Sequence, residues 1–214
     1  MVKVERREDP TFTKYNDREV KESLKRDFHK KCYLCEEVTR HFEVDHFYPQ
    51  ISYPDLINDY SNLFYCCQKC NKVKPKIVNT HSENEILNCC EVDVEKYIKL
   101  KLNSKECMVE ISEVTTTSTN LDKQVKYTIE VLERIYNGKK SKSDSCEDLR
   151  DEITETILSF RKKLDKYGKT KLKRAILEEI EEDLNIVSSY STFKRWIIRD
   201  NPTLNQQFKQ YLGE

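Results

Sequence analysis

Residues 32 to 74, CYLCEEVTRHFEVDHFYPQISYPDLINDYSNLFYCCQKCNKVK, decide how this chain is read. Cys32-Tyr-Leu-Cys35 and Cys67-Gln-Lys-Cys70 stand near its two ends. Two Cys-x-x-Cys knuckles bring four thiolates to the corners of a tetrahedron about Zn²⁺, with Zn–S near ~2.3 Å. The gap between the knuckles is longer than in a simple zinc ribbon, so something is inserted there. The blander reading is four buried apolar thiols, and the doubled spacing argues against it. Four thiolates leave no open coordination position, so this zinc is structural. Cys66 is an alternative ligand, but only Cys67 has the two-residue spacing to Cys70.

Within the insertion, FEV (42–44) and LFYC (63–66) read as strands, and CQKCNKVK before Pro75 reads as a short helix. The result is a β–loop–β–α unit clasped at its ends. Asp45 directly precedes His46, although neighbouring side chains on a regular strand point to opposite faces. The strand is therefore predicted to end or distort there, letting both side chains face one phosphate; Pro49 is consistent with an early end to pairing. Phosphodiester hydrolysis needs a water made nucleophilic and a cation to stabilise charge on phosphate and leaving oxygen. A neutral imidazole can take the water's proton near physiological pH. Asp45 and Asn71 are oxygen ligands of the kind Mg²⁺ takes, and Lys74, about one helical turn beyond Asn71, could reach a phosphate. Taken singly, each has a plainer reading: a hydrogen-bonded His, its Asp partner, a turn Asn, a cap Asn and a solvated Lys.

Taken together, these residues resemble the HNH (ββα-metal) endonucleases in their zinc-clasped form. The matching pattern is Cys32-x-x-Cys35, Asp45-His46, Pro49, Asn62-Leu63, Cys67-x-x-Cys70-Asn71 and Lys74. The resemblance implies that His46 is the general base and Asp45 the first metal ligand. It implies that Asn62 fixes the loop and orients the base, and that Asn71 is the second metal ligand, where many members have His. Asn offers oxygen in place of nitrogen, which favours Mg²⁺ or Mn²⁺ over softer metals. A wider stretch, from MVKVERREDP through ILNCCEVDVEKYIKLKL to VKYTIEVLERIYNG, is similar to the HNH nuclease subunit of Septu-type anti-phage systems and to related retron effectors. That implies a bacterial cytoplasmic nuclease with nucleic acid as substrate and an ABC-type ATPase as partner. Cys89–Cys90 departs from the pattern, and the segment from about residue 169 matches least. Two rival readings are a non-catalytic zinc module binding nucleic acid or protein, and an HNH restriction or mobile-element nuclease.

The rest of the 214 residues fits an α+β chain with few natural breaks, with three Gly and five Pro. Residues 17 to 31 place Val20, Leu24 and Phe28 at i, i+4 and i+8, a helix with Asn16 or Asp17 as N-cap. Residues 77 to 92 read as a polar connection holding His81. Alternation on both sides of Asn103–Ser104 predicts a β-hairpin over 97–111. TTTSTN (115–120) is a loop before a helix over 121–136 that stops at Asn137–Gly138. GKKSKSDSCED is a solvated loop, and a helix bearing Leu149, Ile153, Ile157, Phe160, Leu164 and Tyr167 ends at Gly168. A third helix over 170–186 runs basic to acidic, against the helix macrodipole. The tail forms two short helices broken at Asn201–Pro202. Its Phe193, Trp196 and Ile197 either complete the core or form a docking face.

The expected architecture is a zinc-clasped ββα-metal core with an N-terminal helix (1–88), then a β-hairpin and a mainly helical accessory or partner-binding region (89–214). Lys plus Arg equals Asp plus Glu at 38 each, giving a formal net charge of zero. Nucleic-acid binders usually carry a basic excess, so any grip is local or a partner supplies the rest. No apolar run approaches a membrane span, and MVKVERREDP has no signal-peptide core, which predicts an intracellular protein. His29, His41 and His81 read as surface or hydrogen-bonded residues, and Cys89, Cys90, Cys107 and Cys146 as core or loop thiols.

Overall fold

The computed structural model describes residues 1–74, 85–114, 120–138, 145–171 and 173–213. The expectations for Pro75, His81 and 115–119, and for most of the 138–148 loop, lie outside the described residues.

Helix α1 (Arg18–Asp27) buries Val20 and Leu24 on one stripe, as the spacing predicts. Asp17 occupies the N-cap position, yet its carboxylate accepts from the Thr13 and Lys14 N–H groups and closes the preceding turn instead. The helix stops four residues short of the predicted Lys31. His29 (φ 54°) and Lys30 (φ 59°) are both left-handed, which turns the chain into the first cysteine knuckle.

Strands β1 (Phe42–His46) and β2 (Leu63–Cys67) pair antiparallel, and α2 (Gln68–Val73) packs against both. This is the β–loop–β–α unit read from the sequence. All five β2 positions are buried, with α1 and α2 each packed against the strand. Phe64 anchors this packing, with its ring 4.9 Å from those of both Tyr33 and Phe47.

A second antiparallel pair, β3 (Ile98–Asn103) and β4 (Met108–Glu113), forms the expected hairpin. Helix α3 (Asp122–Asn137) lies against β4. Asn137 pins the two together, because its amide both accepts from the Val109 N–H and donates to the Val109 carbonyl. Gly138 follows at φ 67°, where its missing Cβ removes the left-handed penalty.

Helices α4 (Ser145–Lys169), α5 (Lys173–Leu184), α6 (Ser191–Arg199) and α7 (Pro202–Phe208) complete the described chain. Two expectations are corrected here. Residues 145 to 148 form the first turn of α4 and not a loop, and Gly168 lies inside α4, where a Cβ would meet nothing within 4 Å. In α5, Ile176, Ile180 and Leu184 join a small core with Phe160, Ile198, Phe208 and Leu212. That burial outweighs the unfavourable charge order, which is worth about 1 kcal/mol at an exposed helix end. The break at Asn201–Pro202 is as predicted, with the Asn201 amide oxygen capping Thr203 and Leu204.

The main hydrophobic cluster runs from Met1 to Phe193 and crosses residues 88 and 89 without a gap. Phe193 sits in it at 1% exposure, edge-on to Tyr136 at 5.6 Å. Trp196 and Ile197 are half-buried beside a cavity of about 160 Å³ between β3, α4 and α6.

Candidate functional site

The ligand atoms of Cys32, Cys35, Cys67 and Cys70 all lie within 4.8 Å of one another, and all four residues are buried. A tetrahedron with Zn–S near ~2.3 Å has S···S edges of about 3.8 Å. The Cys35–Cys67 sulfur pair stands at 3.8 Å. Local backbone explains the approach: the Glu36 N–H closes a turn onto the Cys32 carbonyl, and the Cys70 N–H donates to the Cys67 sulfur at 3.4 Å. Cys66 lies outside this set of four. Burial raises the Cys32 pKa, but hydrogen bonds from Cys35, Cys66, Cys67 and Cys70 overcome this and hold it well below the ordinary thiol value. Hydrogen bonds with the Cys32 sulfur push Cys35 and Cys70 well up.

Asp45 and His46 both lie in regular register on β1, opposite Phe64 and Leu63, and the strand ends immediately after His46. The predicted end or distortion at this pair does not occur: β1 runs two residues past the expected FEV, through both residues in register, and stops only after His46. The shared facing of the two side chains is corrected with it, because strand alternation gives them separate surroundings. Asp45 accepts from the Tyr33 hydroxyl at 2.7 Å and from the Lys74 ammonium at 2.7 Å. Lys74 also donates to the backbone oxygens of His46 (2.9 Å) and Phe47 (3.4 Å), so it rests on Asp45 and not on the surface.

The His46 ring is edge-on to Tyr15 at 4.8 Å, and its two nitrogens have different partners. Nε2 is 2.9 Å from the Ile57 carbonyl oxygen, which can only accept. The proton is therefore on Nε2, and Nδ1 is the unprotonated nitrogen, accepting from the Gln50 amide at 2.9 Å. Burial lowers the His46 pKa, against the opposing pull of the Ile57 hydrogen bond and the Asp45 charge.

Asn62 stitches the loop between the strands. Its oxygen accepts from the Tyr48 N–H at 2.7 Å, and its amide donates to the Tyr48 and Leu56 carbonyls, both at 3.1 Å. Fixing Leu56 also fixes the next carbonyl, that of Ile57, on which His46 depends. Asn71, directly after Cys70, donates to the Glu43 carboxylate.

Comparison with known proteins gives a partial match. Part of the chain resembles a Septu protein. It is 30% identical to Septu protein PtuB of Bacillus mycoides (strain KBAB4), over 42% of this chain and 41% of that protein. The chain thus aligns with less than half the length of this curated relative. No protein-family model and no solved structure matches the chain.

Four groups around these residues were missed from the sequence. Glu43 had a signal, since strand alternation puts positions 43 and 45 on one face. Tyr33 sits between the first two cysteines and could have been suspected on proximity alone. Gln50 and the Ile57 carbonyl had no signal, because their partnership with His46 depends on how the 47–62 loop closes. Among the described residues no helix is long and apolar enough to cross a membrane.

Proposed function

We propose that this chain is a metal-dependent HNH endonuclease that hydrolyses phosphodiester bonds of nucleic acid. We further read it as the nuclease effector of an anti-phage defence complex, acting with an ABC-type ATPase in the bacterial cytoplasm. The observation that carries the chemistry is the His46 tautomer, with Nε2–H held by the Ile57 carbonyl and Nδ1 left as a base. The defence context rests on the partial likeness to Septu protein PtuB, and the ATPase on the resemblance of the sequence to Septu-type nucleases. Zero net charge is consistent with a partner that delivers the substrate.

The donor set around β1 and α2 fits a hard cation. Asp45, Asn71 and the neighbouring Glu43 offer only oxygen ligands, and the Lys74 ammonium already rests as a positive charge on Asp45. Asp45 and Asn71 would hold Mg²⁺ or Mn²⁺, which when bound supplies charge stabilisation at the phosphate and the leaving oxygen. His46 takes a proton from water at Nδ1 once the Gln50 amide yields that position. The Ile57 carbonyl then steadies the imidazolium through Nε2–H, and Asn62 keeps that carbonyl in place. Lys74, released from Asp45, reaches towards the phosphate. Zn²⁺ on the four cysteines is structural.

A second reading, a non-catalytic zinc module, is favoured by the closed pairing of Asp45 with Lys74 and Tyr33. Cleavage assays on DNA and on cellular RNA, in Mg²⁺ or Mn²⁺ and with or without the candidate ATPase, separate the two. His46→Ala is expected to lose about 10²-fold or more in rate, while the chain stays folded and keeps its zinc. Undiminished cleavage by this variant refutes the nuclease mechanism, and so does an inactive wild type under every condition.

A further inference from the structure

The vicinal pair Cys89–Cys90 plays no part in the zinc cluster or the nuclease site. Cys89 is fully buried and Cys90 is half-buried. The guanidinium of Arg6 lies against the Cys90 sulfur, with Nε 3.3 Å away. The same guanidinium donates to the carbonyls of Tyr60 (2.8 Å), Ser61 (3.3 Å) and Leu63 (2.7 Å), and it lies over the rings of Phe28, Tyr60 and Phe64. Three of its contacts thus pin the backbone on either side of Asn62, and the fourth is a nucleophilic sulfur.

We propose that Cys90 is a modification site for soft electrophiles and hydroperoxides, and that Arg6 transmits its modification to the Asn62 loop. The geometry supplies the activation. The neighbouring Cys89 thiol and the Arg6 guanidinium against the sulfur lower the Cys90 pKa, against burial and the nearby Glu91 carboxylate, to about 7. In reaction with a hydroperoxide, the thiolate sulfur attacks one peroxide oxygen and the S–O bond forms as the O–O bond breaks. The sulfur loses two electrons and the peroxide gains them. Hydroxide, or the alkoxide of an organic peroxide, leaves and takes up a proton, giving a sulfenic acid. The neighbouring Cys89 does not close a disulfide readily. Consecutive Cα atoms are about 3.8 Å apart, below the range of about 4.4 to 6.8 Å that disulfides favour. The sulfenic acid therefore persists until an external thiol reduces it. Its sulfur is no longer an anionic partner for Arg6 and carries an added oxygen, which loosens the contacts to residues 60–63.

The cysteine chemistry is independent of the nuclease reading, and the test needs no cleavage. Iodoacetamide labelling of the full chain, mapped by peptide mass spectrometry across pH, is expected to give Cys90 a half-maximal rate near pH 7, against about 8.5 for an ordinary thiol. Arg6→Lys is expected to move that midpoint upward. Peroxide followed by dimedone is expected to trap Cys90, and hydrogen exchange in the peptide spanning 58–64 to accelerate several-fold in the wild type but not in Cys90→Ser. A Cys90 midpoint near 8.5 in the unmodified protein overturns the site, whatever the variants do. Unchanged exchange in 58–64 after complete Cys90 oxidation overturns the coupling.

Discussion

Asn62 shows how one side chain governs another without touching it. It is 2% exposed and bonds to Tyr48 and Leu56, while His46 depends on the adjacent Ile57 carbonyl. Asn62→Ala leaves the Tyr48 N–H without its acceptor, at a cost of about 1–3 kcal/mol. Urea unfolding is expected to show that loss, and Tyr48 amide exchange to rise in the folded state. Asn62→Asp keeps the acceptor and loses both donations, so Tyr48 protection is expected to survive there while cleavage falls. Equal Tyr48 exchange in wild type and Asn62→Ala would count against this role. At this scale the sequence was informative about residue types and silent about partners. Asp45, His46, Asn62 and Asn71 were singled out, but the contacts of Gln50 and Lys74 depend on loop closure and on a long flexible side chain.

Among elements, β1, β2, α2 and the first knuckle form one unit held at its ends by four cysteines. The strands are five residues each and α2 is six, too short to persist alone. Zn²⁺ held by these cysteines would therefore supply much of this unit's folding free energy. Purified protein is expected to carry one Zn²⁺ per chain. Cys70→Ser is expected to lose that metal and at least about 4 kcal/mol of stability. Chelation is expected to raise amide exchange in 31–38 and 63–73 before that in α4. Protein that is metal-free yet equally stable would rule this out. Element type was legible wherever a period persisted, as in α1, α3 and the hairpin. Helix ends were less so, because Gly168 meets no obstacle inside α4 and paired left-handed residues at His29 and Lys30 leave no compositional mark.

Over the whole molecule, a buried ionic network ties the first knuckle to the C-terminal helices. Glu36 is 0% exposed, pairs with the Met1 ammonium and with Lys31, and accepts from the Thr192 N–H and side chain of α6. Nearby, Arg195 and Arg199 of α6 hold Glu95. Burial raises the Glu36 pKa, but the positive charges of Lys31 and the amino terminus outweigh it and hold the carboxyl far below 4.5. A carboxyl depressed on folding contributes stability that is full above its unfolded pKa and is lost as pH falls through the folded value. Glu36→Gln leaves Lys31 and the ammonium uncompensated and is expected to cost about 3–5 kcal/mol at pH 7. Below pH 4.5 the gap between variant and wild type is expected to narrow; a gap independent of pH would refute the assignment. The two candidate metal positions differ in a way that makes them separable in one sample. Sulfur donors around Cys32, Cys35, Cys67 and Cys70 would hold Co²⁺ in an intensely coloured tetrahedral cage, whereas Co²⁺ on the oxygen donors of Asp45 and Asn71 would give only a faint absorption. Titrating cobalt into the metal-free chain would let each filling be watched by eye and spectrometer, in its own order.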